Sequence, residues 1–351
     1  MPSATESARR YWKLACAVRR ARRAPYDPFK LTWILTERCS LRCRTCHLWT
    51  GSPDEGPDLD VIGSVLDANR HLTWLNLSGG DLLERPDAPA IMEQVASRLP
   101  HLALLDFPTA GQDEDAVLAA IEPLLDSDIP RIYVTVSIDG PDGLHDRVRN
   151  RPGSARRARR TFERLGAIRR SGFKAVVGMT LSRHNLPDQP NGHVADMLPS
   201  DVPSRDLHLN IAHHSTHYYR NAEDVGPPAE TALALVDEVT RARAGRHGPL
   251  DMMERRYWKA ARRFLLEGDP GGSCGALRAS VYVGSDLGVY PCSIFDRRLG
   301  DLADIGYALR RIPEFPGAAE ALDLVQTRAC PRCWSPCEAF PSLLMNLGRA
   351  S

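Results

Sequence analysis

Arg131-Ile132-Tyr133-Val134-Thr135-Val136-Ser137-Ile138-Asp139 alternates without a break. Ile132, Val134, Val136 and Ile138 fall on one face of an extended chain, and Tyr133, Thr135, Ser137 and Asp139 fall on the other, because successive strand side chains point to opposite sides. The split recurs elsewhere: Leu75 and Leu77 oppose Trp74, Asn76 and Ser78, while Leu207, Leu209 and Ile211 oppose His208, Asn210 and Ala212. A flat parallel sheet with helices on both sides buries two apolar faces. An open barrel packs only its outer face on helices and can turn a polar inner face toward a ligand. Six strand-like runs, at 31–36, 73–78, 102–107, 131–139, 173–181 and 206–212, alternate with helical patterns, as in right-handed βαβ units. The expected fold class is therefore α/β, a partial (β/α)6 TIM-like barrel.

Upstream, residues 5–23 read as a basic helix with an apolar stripe of Tyr11, Trp12, Leu14, Ala15 and Val18, closed by Pro25 and Pro28. Beyond about residue 213 the alternation stops. Helical segments at 229–244 and 252–267 lead through a glycine-rich break at 268–275 to a hairpin of 279–283 and 289–290, turned through Gly284, Asp286 and Gly288. The expected division is an N-terminal helix (1–30), a barrel (31–250) and a compact C-terminal domain (251–351). Lys+Arg 45 against Asp+Glu 44 gives no overall field that would gather nucleic acid. No apolar run approaches the roughly 20 residues that span a bilayer. Arg19 and Arg20 interrupt any secretory signal, so a cytoplasmic setting is expected. Nine cysteines in a reducing compartment read as metal ligands or reactive groups.

Three of them follow the first strand in Thr36-Glu37-Arg38-Cys39-Ser40-Leu41-Arg42-Cys43-Arg44-Thr45-Cys46-His47. Thiolates suit zinc or iron-sulfur clusters. A structural zinc site wants four protein ligands, and His47, adjacent to Cys46, cannot readily point at the same ion. Three thiolates on one loop can instead hold three irons of a cubane and leave the fourth open to a co-substrate. This loop resembles the signature of the radical S-adenosylmethionine (SAM) superfamily, Cys-x3-Cys-x2-Cys at the end of the first barrel strand. The family usually has an aromatic or bulky residue before the third cysteine, where this chain has Thr45. Ser78-Gly79-Gly80-Asp81, closing the second strand, resembles the family's Gly-Gly-Glu element, with a carboxylate one methylene shorter. The resemblance implies a SAM-binding 4Fe-4S cluster on Cys39, Cys43 and Cys46. It places the methionyl amino group of SAM at Gly79, Gly80 and Asp81, and its carboxylate at Ser137 and Arg149. Asp139 belongs to the same stretch, which runs on through His145 and Asp146, and Asn185 past the fifth strand is a further candidate.

Cys274, Cys292, Cys330, Cys333 and Cys337 cluster near the C-terminus in a pattern similar to the twitch and SPASM extensions of that superfamily. Five cysteines where a full SPASM domain has seven imply one auxiliary 4Fe-4S cluster. Cys274 and Cys292 with the close pair Cys330 and Cys333 make the simplest complete set, leaving Cys337 spare. A zinc site built on Cys330-x2-Cys333 is the alternative. Cys16 reads as a small packing residue.

The stretch from His208 to Tyr219 carries His208, His213, His214 and His217. Parity turns His208 and Asn210 into the barrel and puts the others on the loop over its mouth, as candidates for substrate hydrogen bonding or proton transfer. The resemblance implies reductive cleavage of SAM and hydrogen-atom abstraction, with electrons from a donor such as flavodoxin or ferredoxin. The leading expectation is two-electron oxidation of a small-molecule carbinol. Epimerisation with Cys337 as hydrogen donor is the rival. Peptide modification ranks lower, because only about 30 residues precede the first strand, fewer than the roughly 40 below which a domain seldom folds alone. A lipid substrate would follow if the basic helix lay on a membrane surface, and a non-catalytic iron-sulfur or zinc protein is the remaining class.

Overall fold

The computed structural model describes residues 3–51, 53–189, 193–199, 201–221, 223–245 and 248–348. Six parallel strands lie side by side in chain order: β1 (Lys30–Ile34), β2 (Trp74–Ser78), β3 (Leu104–Thr109), β4 (Arg131–Ser137), β5 (Phe173–Leu181) and β6 (Leu207–Ile211). The sheet does not close. Beyond β1 it continues with β7 (Ser280–Val283), parallel to β1, and with antiparallel β8 (Gly288–Tyr290) and β9 (Gly300–Asp301). The expected hairpin is thus present, but it extends the barrel's own sheet and covers the open edge of β1, which would otherwise expose unpaired backbone groups.

The register explains the alternation. Leu31 pairs with Leu75, Leu75 with Leu105, and Leu105 with Ile132, so a continuous apolar row lines the outer face. Against it pack α2 (Leu59–Ala68), α3 (Ala88–Arg98), α4 (Glu114–Leu125) and α6 (Ser154–Gly166) through buried Ile62, Leu66, Ile91, Met92, Ile121 and Leu165. The short α5 (Asp142–Arg149) precedes α6. The opposite row is polar: Tyr282, Thr32, Asn76, Asp106 and Tyr133 are neighbours across five strands. Between β5 and β6 the described residues form only short 3-10 turns. Pro187, Pro199 and Pro203 break that connection too often for an α-helix.

After β6 come α7 (Ala229–Ala242), α8 (Pro249–Glu267), α9 (Ala318–Gln326) and α10 (Pro336–Met345). Helix α10 crosses the inner face. The buried Lys30 Nζ donates to the Cys337 carbonyl, Ser280 Oγ donates to Glu338, and the Phe340 ring lies 5.7 Å from that of His208. This part of the interior, which the sequence reserves for a ligand, is filled by protein. Part of the polar row is satisfied internally instead: the Trp74 indole and the Asn76 amide both donate to the Asp106 carboxylate, while the buried Thr32 hydroxyl has no hydrogen-bond partner.

The N-terminal helix α1 (Ala4–Arg23) is capped by Ser3, whose hydroxyl accepts the Glu6 amide at 3.1 Å. It buries Ala17, Val18 and Ala21 against Phe29, Trp74, Ala279 and Met345. Tyr11 and Trp12 do not join this seam: Trp12 is 62% exposed. Among the described residues no helix is long and apolar enough to cross a membrane.

Candidate functional site

Cys39, Cys43 and Cys46 lie on the loop leaving β1, gathered with Leu41 and Ala110 in one small apolar cluster. The end of β2 grips this loop. Gly80 donates to the Thr36 carbonyl at 2.8 Å and Asp81 to the Arg38 carbonyl at 2.9 Å. A Cβ on Gly79, at φ +147°, would stand 2.1 Å from the Thr36 oxygen, and one on Gly80 would stand 2.0 Å from the Arg38 oxygen. The close approach these glycines permit is therefore to the cysteine loop itself. Asp81 is buried, and its carboxylate accepts from Ala110 N–H at 2.7 Å, Thr109 Oγ1 at 2.9 Å and Leu83 N–H at 3.2 Å. It joins the ends of β2 and β3. Burial pushes its carboxyl up to about 7.

Arg149 reaches the same loop from α5. Its Nε donates to Asp139 at 2.7 Å and its guanidinium stands 3.7 Å from Cys43 Sγ. Asp139 also accepts the Thr180 amide at 3.0 Å. Asn185 donates to the Asp139 and Thr180 carbonyls and accepts from Ser182, so its amide ties together the ends of β4 and β5. Ser137 ends β4, partly exposed. Of the residues expected to touch SAM, Asp81, Asp139 and Asn185 thus engage the strand ends that frame the loop.

Burial raises all three thiols of the loop, that of Cys46 to about 12, so they hold their protons at neutral pH unless a cation draws them off. Among the described residues no three His, Cys, Asp or Glu groups converge on a point where one ion would sit. Ligands of a cubane bind different irons and stand wider apart than those of one zinc ion. Three thiols beside a guanidinium, Cys43 buried and Cys39 and Cys46 partly so, fit an iron-sulfur cluster in their donor chemistry.

The second cysteine group is organised separately. Cys274, Cys292 and Cys333 share an apolar cluster with Ala276, Ile294, Val325, Phe295 and Tyr219, and Cys330 lies within electrostatic reach of Cys274 and Cys333. Burial pushes Cys274 up to about 12. Cys337 stands apart on α10, its thiol 3.9 Å from Asn76 Oδ1 on the barrel's inner face.

The loop after β6 connects the two groups. Asn221 donates to the Thr45 carbonyl at 3.1 Å and the His213 carbonyl at 3.0 Å, and His47 N–H donates to the Tyr219 carbonyl at 2.7 Å. On the other side, Ser215 Oγ donates to the Ser293 carbonyl, His217 Nε2 to the Cys292 carbonyl, and Trp334 N–H to His213 Nε2 at 3.2 Å. His213 is therefore a brace, held neutral with its pKa lowered to about 4 by burial. His214 is exposed. His208 is enclosed by Tyr257, Trp258 and Phe340, with Glu254 3.6 Å from Nδ1, away from the barrel mouth. Asn210, on the same face, has a buried Oδ1 with no hydrogen-bond partner.

A cavity of about 170 Å3 opens between the β1 loop, the loop after β6 and the β7–β8 turn. Glu37, His217, Tyr218, Arg220, Ser285 and Tyr290 line it. His217 stacks on Tyr290 at 4.4 Å, Tyr218 bonds Ser78 at 2.8 Å, and Arg220 grips both Glu37 oxygens at 2.6 and 2.7 Å. Sequence reasoning passed over Arg220 and Asn221. The available signal was Glu37, a carboxylate next to the cysteine run that needed a cationic partner.

Fold and site together are an open parallel α/β half-barrel with a three-thiol loop at the mouth of its first strand. No family model matches the chain. Over 166 residues it is 31% identical to the mycofactocin maturase MftC of Mycobacterium ulcerans, a match covering 45% of this chain and 42% of that protein. It is 23% identical over 166 residues to the sporulation killing factor maturation protein SkfB of Bacillus subtilis, covering 46% and 38%. The matched stretch spans less than half of each relative. In three dimensions it superposes on anSMEcpe with bound AdoMet and Cp18Cys peptide with a TM-score of 0.56 at 17% identity, covering 85% of this chain and 83% of that one. Over the matched stretch the chain is thus similar in sequence to radical SAM maturases of the SPASM or twitch type, and its fold is that of solved radical SAM enzymes.

Proposed function

We propose that the protein binds SAM at a 4Fe-4S cluster held by Cys39, Cys43 and Cys46 and removes a hydrogen atom from an unactivated C–H bond of its substrate. When bound and reduced, by a flavodoxin or ferredoxin, the cluster supplies the electron that splits SAM into methionine and a 5'-deoxyadenosyl radical. The observation that carries this reading is the three-thiol loop locked against Gly79 and Gly80. The Arg149 guanidinium favours the thiolate form of Cys43. Residues 31–250 act as the barrel and 251–351 as the cysteine-bearing extension.

For the outcome, the grouping of Cys274, Cys292, Cys330 and Cys333 supports a fully ligated auxiliary 4Fe-4S cluster, which suits an electron acceptor and hence a two-electron oxidation. The relatives named above are maturation proteins, and anSMEcpe is seen with a peptide. That favours a peptide side chain over a free small-molecule carbinol as the oxidised group. The isolation of Cys337 favours one second reading, epimerisation with its thiol as hydrogen donor. Anaerobic, reconstituted protein given SAM and dithionite should form 5'-deoxyadenosine. If Cys39→Ala/Cys43→Ala/Cys46→Ala forms as much, the radical reading fails. Solvent deuterium at an inverted carbon, lost in Cys337→Ala, would replace oxidation by epimerisation.

A further inference from the structure

At the opposite end of the barrel, where the strands begin, lies a second cavity of about 210 Å3 that the radical chemistry does not use. Lys13 and Arg20 reach it from α1, His71 and Thr73 from the approach to β2, His101 from the approach to β3, and Arg310 from the segment after β9. Arg20 and Arg310 each place only Nε on a different oxygen of Asp27, both at 2.7 Å. Arg20 and Arg310 thus share one carboxylate, and Lys13, its ammonium 5.5 Å from the Trp12 ring, adds a third permanent cation to the lining. His71 Nε2 and His101 Nδ1 are buried without a hydrogen-bond partner. Burial first, and then the surrounding cations, hold both imidazoles below the usual histidine range. Uncompensated positive charge and orphaned polar atoms in one hollow are what a missing anion leaves behind.

We propose that this hollow binds a phosphoryl group. The excess of about two positive charges matches a phosphomonoester dianion. Donors from two guanidinium forks and an ammonium group converge from several sides, which suits a tetrahedral group with three terminal oxygens better than a planar carboxylate, and an anion there would draw a proton onto the two imidazoles. The volume is several times the ~30 Å3 share of a water molecule, so it admits such a group with part of what it is attached to. Exposed Trp12 and Tyr11 lie on the same helix as Lys13 and Arg20. The phosphoryl group therefore has two sources to distinguish, a soluble phosphate or the headgroup of an anionic lipid.

Calorimetry with inorganic phosphate, at ionic strength fixed with chloride, tests the first source. Co-sedimentation with phosphatidylcholine vesicles with and without phosphatidic acid tests the second. Lys13→Gln/Arg20→Gln should weaken the binding about tenfold or more. Arg310→Gln serves as a second variant, and circular dichroism confirms that each folds. Phosphate binding lost in the variants supports the site with a soluble ligand. Phosphatidic-acid-dependent sedimentation lost in the variants, without phosphate binding, supports it with a lipid. Binding of neither probe, or binding that folded variants retain in full, overturns the proposal.

Discussion

Replacing His145 by glutamine should flatten the acid side of the stability profile. His145 is fully buried. Its Nδ1 accepts the Asp139 amide at 3.0 Å, so Nε2 carries the proton and donates to Ser154 Oγ at 3.0 Å. Burial first, and then the nearby Arg149, lowers the imidazole from 6.5 to about 4. The folded state refuses a proton that the unfolded chain accepts between those values. The contribution is therefore complete above pH 6.5 and declines as pH falls toward 4. At pH 5 the loss comes to about 2 kcal/mol relative to neutral pH. Urea unfolding of wild type and His145→Gln at pH 7.5 and pH 5, compared as a difference of differences, cancels other acid-sensitive groups. Equal pH dependence in the two proteins would refute the assignment of a neutral, Nε2-protonated His145 as the support of the Asp139–Arg149 pair.

Gly80→Ala should cost about 2–3 kcal/mol, because its methyl group meets the Arg38 carbonyl oxygen and backbone cannot rotate away. Thermal melting, with iron analysis of the reconstituted protein, checks both the destabilisation and the looser grip on the cysteine loop. Asn221→Ala leaves the Thr45 and His213 carbonyls without their donor and should lower stability by about 2 kcal/mol in denaturant titration. Cys333→Ala should lower the iron content to that of one cluster, whereas Cys337→Ala should leave it at the wild-type value, read by iron and sulfide assay.

The strands and the cysteine loop are legible in the sequence because each rests on short-range pattern. Alternation along residues 131–139 places Ile132 and Tyr133 on opposite faces whatever the rest of the chain does. The loop needs only the spacing of Cys39, Cys43 and Cys46. Contacts between distant segments are not written in any local period. Nothing near His213 announces that its ring accepts the Trp334 amide, or that His208 packs on Phe340 rather than facing a ligand. The histidine-rich stretch drew attention as chemistry because histidine commonly does chemistry, yet His213 and His217 hold backbone groups of the second cysteine region. Gly79 and Gly80 show the same limit: the sequence marks a close approach, and only the fold shows what approaches.

The position of α10 inside the half-barrel constrains how the chain is made. Lys30, at the start of the first strand, bonds the carbonyl of Cys337, 307 residues later. At roughly 5–20 residues per second, a ribosome needs about 15 to 60 s between the two. Throughout that interval the inner face of the nascent sheet, with Lys30 and Asp106 on it, lacks the helix that covers it. A slow stretch of translation anywhere between the two would lengthen that exposure by its own duration.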